Sequence, residues 1–158
     1  MIEPHRKLIM INKTNIHFTP LYTKNYPQTF TAYEKTFVML KPDSFHRDID
    51  GIIMKKIDSA GMKVLSQWEG IAPREKLERN YIQYKDKPFF SKWIDFLSSG
   101  KIRAMVIGGD DAISAVSGIK KSVREQYAPG QKRFNLMHSS DDVESAQKEC
   151  KNFFDVEI

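Results

Sequence analysis

Thr36-Phe37-Val38-Met39-Leu40-Lys41-Pro42-Asp43 is the stretch on which the architecture turns. Its first five residues are apolar or β-branched and read as a buried strand, which Lys41-Pro42-Asp43 brings to a stop. A doubly wound parallel sheet would follow its first strand with a glycine-rich loop. No glycine stands between Leu40 and Asp50, so that architecture is set aside.

Downstream, Gly51 to Ala60 sets Ile52, Ile53, Lys56 and Ile57 at helical spacing, with Gly61 as the C-terminal cap. Met62 to Trp68 alternates imperfectly as a second strand, and Pro73 opens a short helix through Asn80. Pro88 starts a helix with Phe90, Trp93, Ile94 and Leu97 on one face, ending at Gly100. Ile102 to Ile107 is a third strand, ended by Gly108-Gly109, with Asp110 capping a helix through Val116. The charged stretch from Ser117 to Phe134 reads as a solvated loop. Phe134 to Met137 is a short fourth strand, and Asp141 caps a last helix through Asn152, Glu144 closing a capping-box-like pair. Upstream, residues 1–33 carry Pro4, Pro20 and Pro27 and match neither period, so they read as an extension, a flexible arm or packing strap. They are poor in acids, but without serine or a clear basic face they do not read as a presequence.

Strands and helices alternating through short connections predict one α+β, ferredoxin-like domain over residues 34–158. Its core is a four-stranded antiparallel sheet with the helices packed on one face.

The 158 residues, 41% hydrophobic and 11% aromatic, suffice for one packed core and exclude a disordered chain. The single cysteine, Cys150, cannot form an intramolecular disulfide, and four scattered histidines lack a zinc spacing. No apolar run reaches the ~20 residues of a membrane span, so the chain is expected in the cytoplasm with no membrane partner. Of the formal charge of +5, residues 1–33 supply +3, from Arg6, Lys7, Lys13 and Lys24 against Glu3. The domain itself is therefore not strongly basic, and nucleic acid is not an expected partner.

Two segments carry chemistry. Lys41 presents an ammonium where a buried strand leaves the sheet, a place to meet phosphate. His138 stands just after an apolar strand and just before a helix N-terminus, whose N–H groups and dipole favour an anion. Glu149, eleven residues on, is placed to hold one ring nitrogen and leave the other free to attack. Lys120, Lys121, Arg124, Lys132 and Arg133 against Glu125 supply a cationic clamp for a polyphosphate.

Together these pieces resemble the nucleoside diphosphate kinase family over about Glu34 to Phe154. The resemblance rests on Lys41-Pro42-Asp43, on Asn80-Tyr81 followed by Lys85-Asp86-Lys87-Pro88-Phe89-Phe90, and on Ala104-Met105-Val106. Above all it rests on Asn135-x-x-His138-x-Ser140-Asp141-x-Val143-Glu144-Ser145-Ala146. It implies that His138 takes the γ-phosphate of a triphosphate such as ATP and passes it to a diphosphate by a ping-pong route. Glu149 and Ser140 would orient that ring. Lys41, Tyr81, Arg124 and Asn135 would surround the phosphates and ribose, Lys41 as part of the catalytic set. Phe89 would stack on the base with Trp93 beside it, tolerating any base. The implied cofactor is Mg2+, held by nucleotide phosphates and water rather than by a protein site. The implied partners are nucleoside di- and triphosphates, and a second copy or more of the chain in a dimer or larger homo-oligomer.

Departures accompany the match. Where the family has threonine-glycine-arginine and then a long loop, this chain has Ser117-Gly118-Ile119 and reaches Arg124 almost at once. Ile119 takes the place of a phosphate-binding arginine, for which Lys120 or Lys121 would substitute as point charges, and Ser139 takes the place of a glycine. They keep a second reading in play, a nucleotide-binding or regulatory domain with weak or no kinase activity. A third, nucleic-acid binding through the basic arm, is also open to test.

Overall fold

The computed structural model describes residues 31–158, so the reading of the extension as an arm or strap lies almost wholly outside the described residues. The elements run β1 (Tyr33–Leu40), α1 (Pro42–His46), α2 (Asp50–Ser59), β2 (Lys63–Gly70) and α3 (Arg74–Asn80). After a 3-10 turn at Ile82–Tyr84 come α4 (Phe90–Ser98), β3 (Ile102–Asp110), α5 (Ala112–Tyr127), β4 (Met137–Ser139) and α6 (Val143–Phe154). The sheet has the order β2-β3-β1-β4 and every pairing is antiparallel. Two βα-to-β units, each skipping a strand, interlock to give this order, which is the predicted ferredoxin-like α+β fold. α3 and α4 are inserted between β2 and β3.

The helices cover both faces of the sheet, not one as predicted. Val38 and Leu40 point to a core shared with Ile53 and Ile57 of α2 and Val116 and Val123 of α5. Phe37 and Met39 point the other way, to Leu77 of α3, Ile94 and Leu97 of α4, and Cys150 and Phe153 of α6. A strand covered on both sides has no solvent face to keep polar. That explains why β1 runs from Thr36 to Leu40 without a charged residue.

Four local expectations are corrected. Gly108 and Gly109 do not end β3, which continues to Asp110. A Cβ on Gly108 would lie 2.5 Å from Tyr33 Oη and 2.7 Å from Leu65 Cδ1, and one on Gly109 2.8 Å from Met62 Sδ. These glycines make room for neighbours within the sheet. β2 owes its imperfect alternation to a register shift between Val64 and Ser66, at an edge where Val64 and Leu65 are exposed.

α5 is not a short helix capped by Asp110. It runs sixteen residues and absorbs most of the expected loop, and Glu34 Oε2 accepts the Ile113 N–H at its start. β4 lies two to three residues later than predicted, so His138 is within it, paired to Met39. Asp142, not Asp141, caps α6, accepting the Ser145 N–H at 2.7 Å, and that bond lowers the Asp142 pKa.

Candidate active site

The end of β1 and the start of β4 are tied together around an unusual turn. Leu136 is buried with φ +73°, and Met137 N–H donates to Asn135 C=O at 2.8 Å, closing a γ-turn of the left-handed kind. Such a conformation costs about 1–3 kcal/mol for a bulky residue. Lys41-Pro42-Asp43 offsets it: Lys41 N–H donates to Leu136 C=O at 2.9 Å, and Asp43 Oδ2 accepts the Leu136 N–H at 3.0 Å. Two such bonds contribute on the order of 1 kcal/mol each. The tripeptide singled out for its lysine thus also builds the turn that aims His138.

His138 Nε2 lies 2.9 and 3.0 Å from the two oxygens of Glu149, and Ser140 Oγ donates to Glu149 Oε2 at 2.6 Å. Glu149 is buried on α6 and Ser140 is buried just beyond β4. With a carboxylate accepting at Nε2, the proton of the neutral ring sits there and the Nδ1 lone pair is free. Phe37 and Tyr81 flank the imidazole, with ring centroids 6.1 and 5.9 Å away. The ring is thereby held in one orientation.

His138 opens on a cleft of about 340 Å³ lined also by Lys41, Tyr84, Phe89, Trp93, Arg124, Lys132, Arg133 and Asn135. Lys41 is 3% exposed, and its ammonium donates to Asn135 Oδ1 at 2.6 Å and Arg133 C=O at 3.0 Å. Burial first, and then the Arg124 charge, push its pKa down to about 7. Arg124, on the last turn of α5, donates to Met137 C=O at 2.6 Å, and burial lowers its pKa too. Its Nε and the Trp93 Nε1 are buried donors with no protein partner among the described residues. Two part-desolvated cations and two orphaned donors on one cleft call for an anionic ligand rich in acceptors. A wider hollow of about 880 Å³ beside Glu34, Asp111, Asp141 and Asp142 is acidic where this cleft is basic, and it contains no histidine.

Of the predicted residues, Lys41, Phe89, Trp93, Arg124, Asn135 and His138 share this cleft, with Glu149 and Ser140 behind the histidine. Tyr81 does not line it. It is 1% exposed, packs on Trp93 at 4.3 Å, and its hydroxyl contacts Met39 Sδ at 3.9 Å. Burial raises its pKa, and its place is beneath the imidazole. Neither Lys120 nor Lys121 stands in for the missing arginine. Lys120 is held by Asp141 Oδ1 at 2.8 Å, and Lys121 lies on the exposed side near Glu125. Lys132 and Arg133, read in the sequence as part of a cationic clamp, line it as well, and Tyr84 is the lining residue that the sequence reading omitted.

Fold and cleft together define a ferredoxin-like α+β domain with a carboxylate-held histidine in a cationic cleft. The sequence model of the nucleoside diphosphate kinase family matches residues 34–158. A nucleoside diphosphate kinase of Staphylococcus haemolyticus is 35% identical over 130 residues, covering 77% of this chain and 87% of the relative. One of Archaeoglobus fulgidus is 34% identical over 130 residues, covering 77% and 86%. The crystal structure of the Aquifex aeolicus nucleoside diphosphate kinase superposes with a TM-score of 0.69 at 30% identity, covering 78% of this chain and 96% of that one. The chain belongs to the nucleoside diphosphate kinase family. Among the described residues no helix is long and apolar enough to cross a membrane.

Proposed function

We infer that the protein transfers the γ-phosphate of a nucleoside triphosphate to nucleoside diphosphates through a phosphohistidine at His138. The observation that carries this reading is the Glu149 carboxylate on Nε2 beside a cleft holding Lys41 and Arg124. Nδ1 attacks the γ-phosphorus, the β–γ bridging oxygen leaves with the diphosphate, and a second diphosphate takes the phosphoryl group back. Glu149 stabilises the positive ring as the N–P bond forms, and Ser140 fixes the carboxylate. Lys41 and Arg124 offset charge on the moving phosphoryl oxygens. Phe89 and Trp93 supply the aromatic surface for the base, and Asn135 holds Lys41 in place.

Magnesium fits this site as a passenger of the nucleotide. The cleft lining has four cations and no carboxylate, and no group of three or more potential metal-binding side chains occurs among the described residues. Carried in by the nucleotide, the ion would offset part of the polyphosphate charge. The kinase unit is read as residues 34–158, cytoplasmic, in a dimer or larger homo-oligomer. The exposed Val64 and Leu65 on the β2 edge support that assembly. Incubating the purified chain with Mg-ATP and several diphosphates tests the activity. Transfer to more than one base supports it, and nucleotide binding without transfer leaves the regulatory reading standing.

Lys41 makes nucleotide binding proton-linked. With a pKa of about 7 in the empty site, the amine is charged below that pH and largely neutral above it. A bound phosphate favours the ammonium, so binding above pH 7 takes up a proton. Diphosphate affinity is expected to weaken by up to about tenfold per pH unit above 7. For the same reason the empty protein gains stability as pH rises from about 7 to 10.5, because there the unfolded chain holds the extra proton. Calorimetric titration at pH 8 in two buffers of different ionisation heat reads the uptake directly. Equal heats in the two buffers would sink the linkage.

A further inference from the structure

We propose that Arg133 is a specificity-determining residue that forms the second wall of the base slot and favours purine nucleotides. This deepens the nucleotide reading above and rests on it. The Arg133 guanidinium carbon lies 4.2 Å from the centre of the Phe89 ring, over the face on which a base would stack. Tyr84 and Trp93 pack on the same ring with centroids 6.2 Å away, so Phe89 is braced and its contact with Arg133 is the adjustable one. Stacking alone would accept any base. A planar cation on the far side of the base would not.

The main chain of Arg133 is fixed while its side chain is exposed. Its carbonyl accepts from Lys41 Nζ at 3.0 Å, and Asn135 Nδ2 donates to Lys132 C=O at 2.9 Å, which pins residues 132–135 to the rim of the cleft. A base entering the slot meets the guanidinium where it must itself lie. The long side chain lifts by the thickness of the base and settles on the base's outer face, exchanging one aromatic partner for another. Charge over a ring attracts most strongly where the π-system is largest and richest in electrons, so bicyclic purines gain more than pyrimidines. Among the bases the electron-rich double ring of guanine gains most from a cation on its face, then adenine, then the single ring of cytosine, which is the expected order.

The test uses the full chain, wild type, Arg133→Ala and Arg133→Lys, with Kd measured calorimetrically for GDP, ADP and CDP. Arg133→Ala is expected to lose about two- to fivefold affinity for GDP and ADP relative to CDP, the size of a cation-on-ring contact at an exposed site. Arg133→Lys keeps the charge without the plane and is expected to restore part of the overall affinity but not the preference for GDP. Equal weakening for all three diphosphates would make Arg133 a long-range phosphate attractor and overturn the proposal. Uniform tightening would make it an obstructing cap, and an unchanged preference would remove its role; either overturns it. Binding is read without turnover, so purine preference in a protein that fails to transfer phosphate would sink the kinase reading and leave this one intact. Transfer activity with no base preference would do the reverse.

Discussion

His138→Ala is expected to abolish phosphoryl transfer, by at least about 10⁴-fold in kcat, because removal of a covalent nucleophile leaves only binding and charge stabilisation behind. Intact-mass analysis after incubation with Mg-ATP gives the second readout: an acid-labile phosphate on the wild type, absent from the variant. The substitution also takes one of two partners from the buried Glu149, which keeps Ser140 Oγ at 2.6 Å. A melting curve therefore accompanies the assay, with a loss of about 1–3 kcal/mol expected. A folded variant that still transfers phosphate at the wild-type rate would end the assignment of His138 as carrier.

Arg124→Leu is expected to lower kcat by about 10²–10³-fold, the usual result of deleting one fixed donor aimed at developing charge. Ile119 packs against the core and Lys120 is held by Asp141, so neither adds a cation to the cleft lining beside Arg124. Arg124→Lys should recover only part of the rate, because a lysine offers no second nitrogen at the place of the orphaned Nε. The variant also gives up the bond to Met137 C=O at 2.6 Å, so thermal stability separates a misplaced β4 from a lost charge. Steady-state kinetics with kcat within a few-fold of wild type would show that Lys41 alone suffices.

The parts legible in the sequence are those written in short stretches. Thr36 to Leu40 declared a central strand, and the spacing from Asn135 through Ser140 to Glu149 placed a histidine against a carboxylate, because strand-to-helix geometry is nearly fixed over eleven residues. α5 was missed because its charged residues, Lys120, Lys121, Arg124 and Glu125, look alike on a helix surface and in a loop. The signal was there in Ile113, Val116, Ile119, Val123 and Tyr127, which recur every three or four residues along α5. The continuation of β3 was not legible at all. Whether Gly108 ends a strand or admits Tyr33 and Leu65 depends on neighbours distant in sequence. Arg133 on Phe89 joins residues 44 apart and belongs to the same class. Tyr81, expected near the phosphates, packs against the imidazole instead of lining the cleft, and adjacency to a motif says nothing of which way a ring points.

The left-handed turn at Leu136 leaves the His138 imidazole little liberty of its own. Pinned on a strand and braced by its carboxylate, it has no reach, so in the proposed reaction donor and acceptor would come to the same berth, one after the other. An excess of diphosphate arriving before the first triphosphate would then occupy that berth unproductively, and turnover would be governed by traffic at a single doorway.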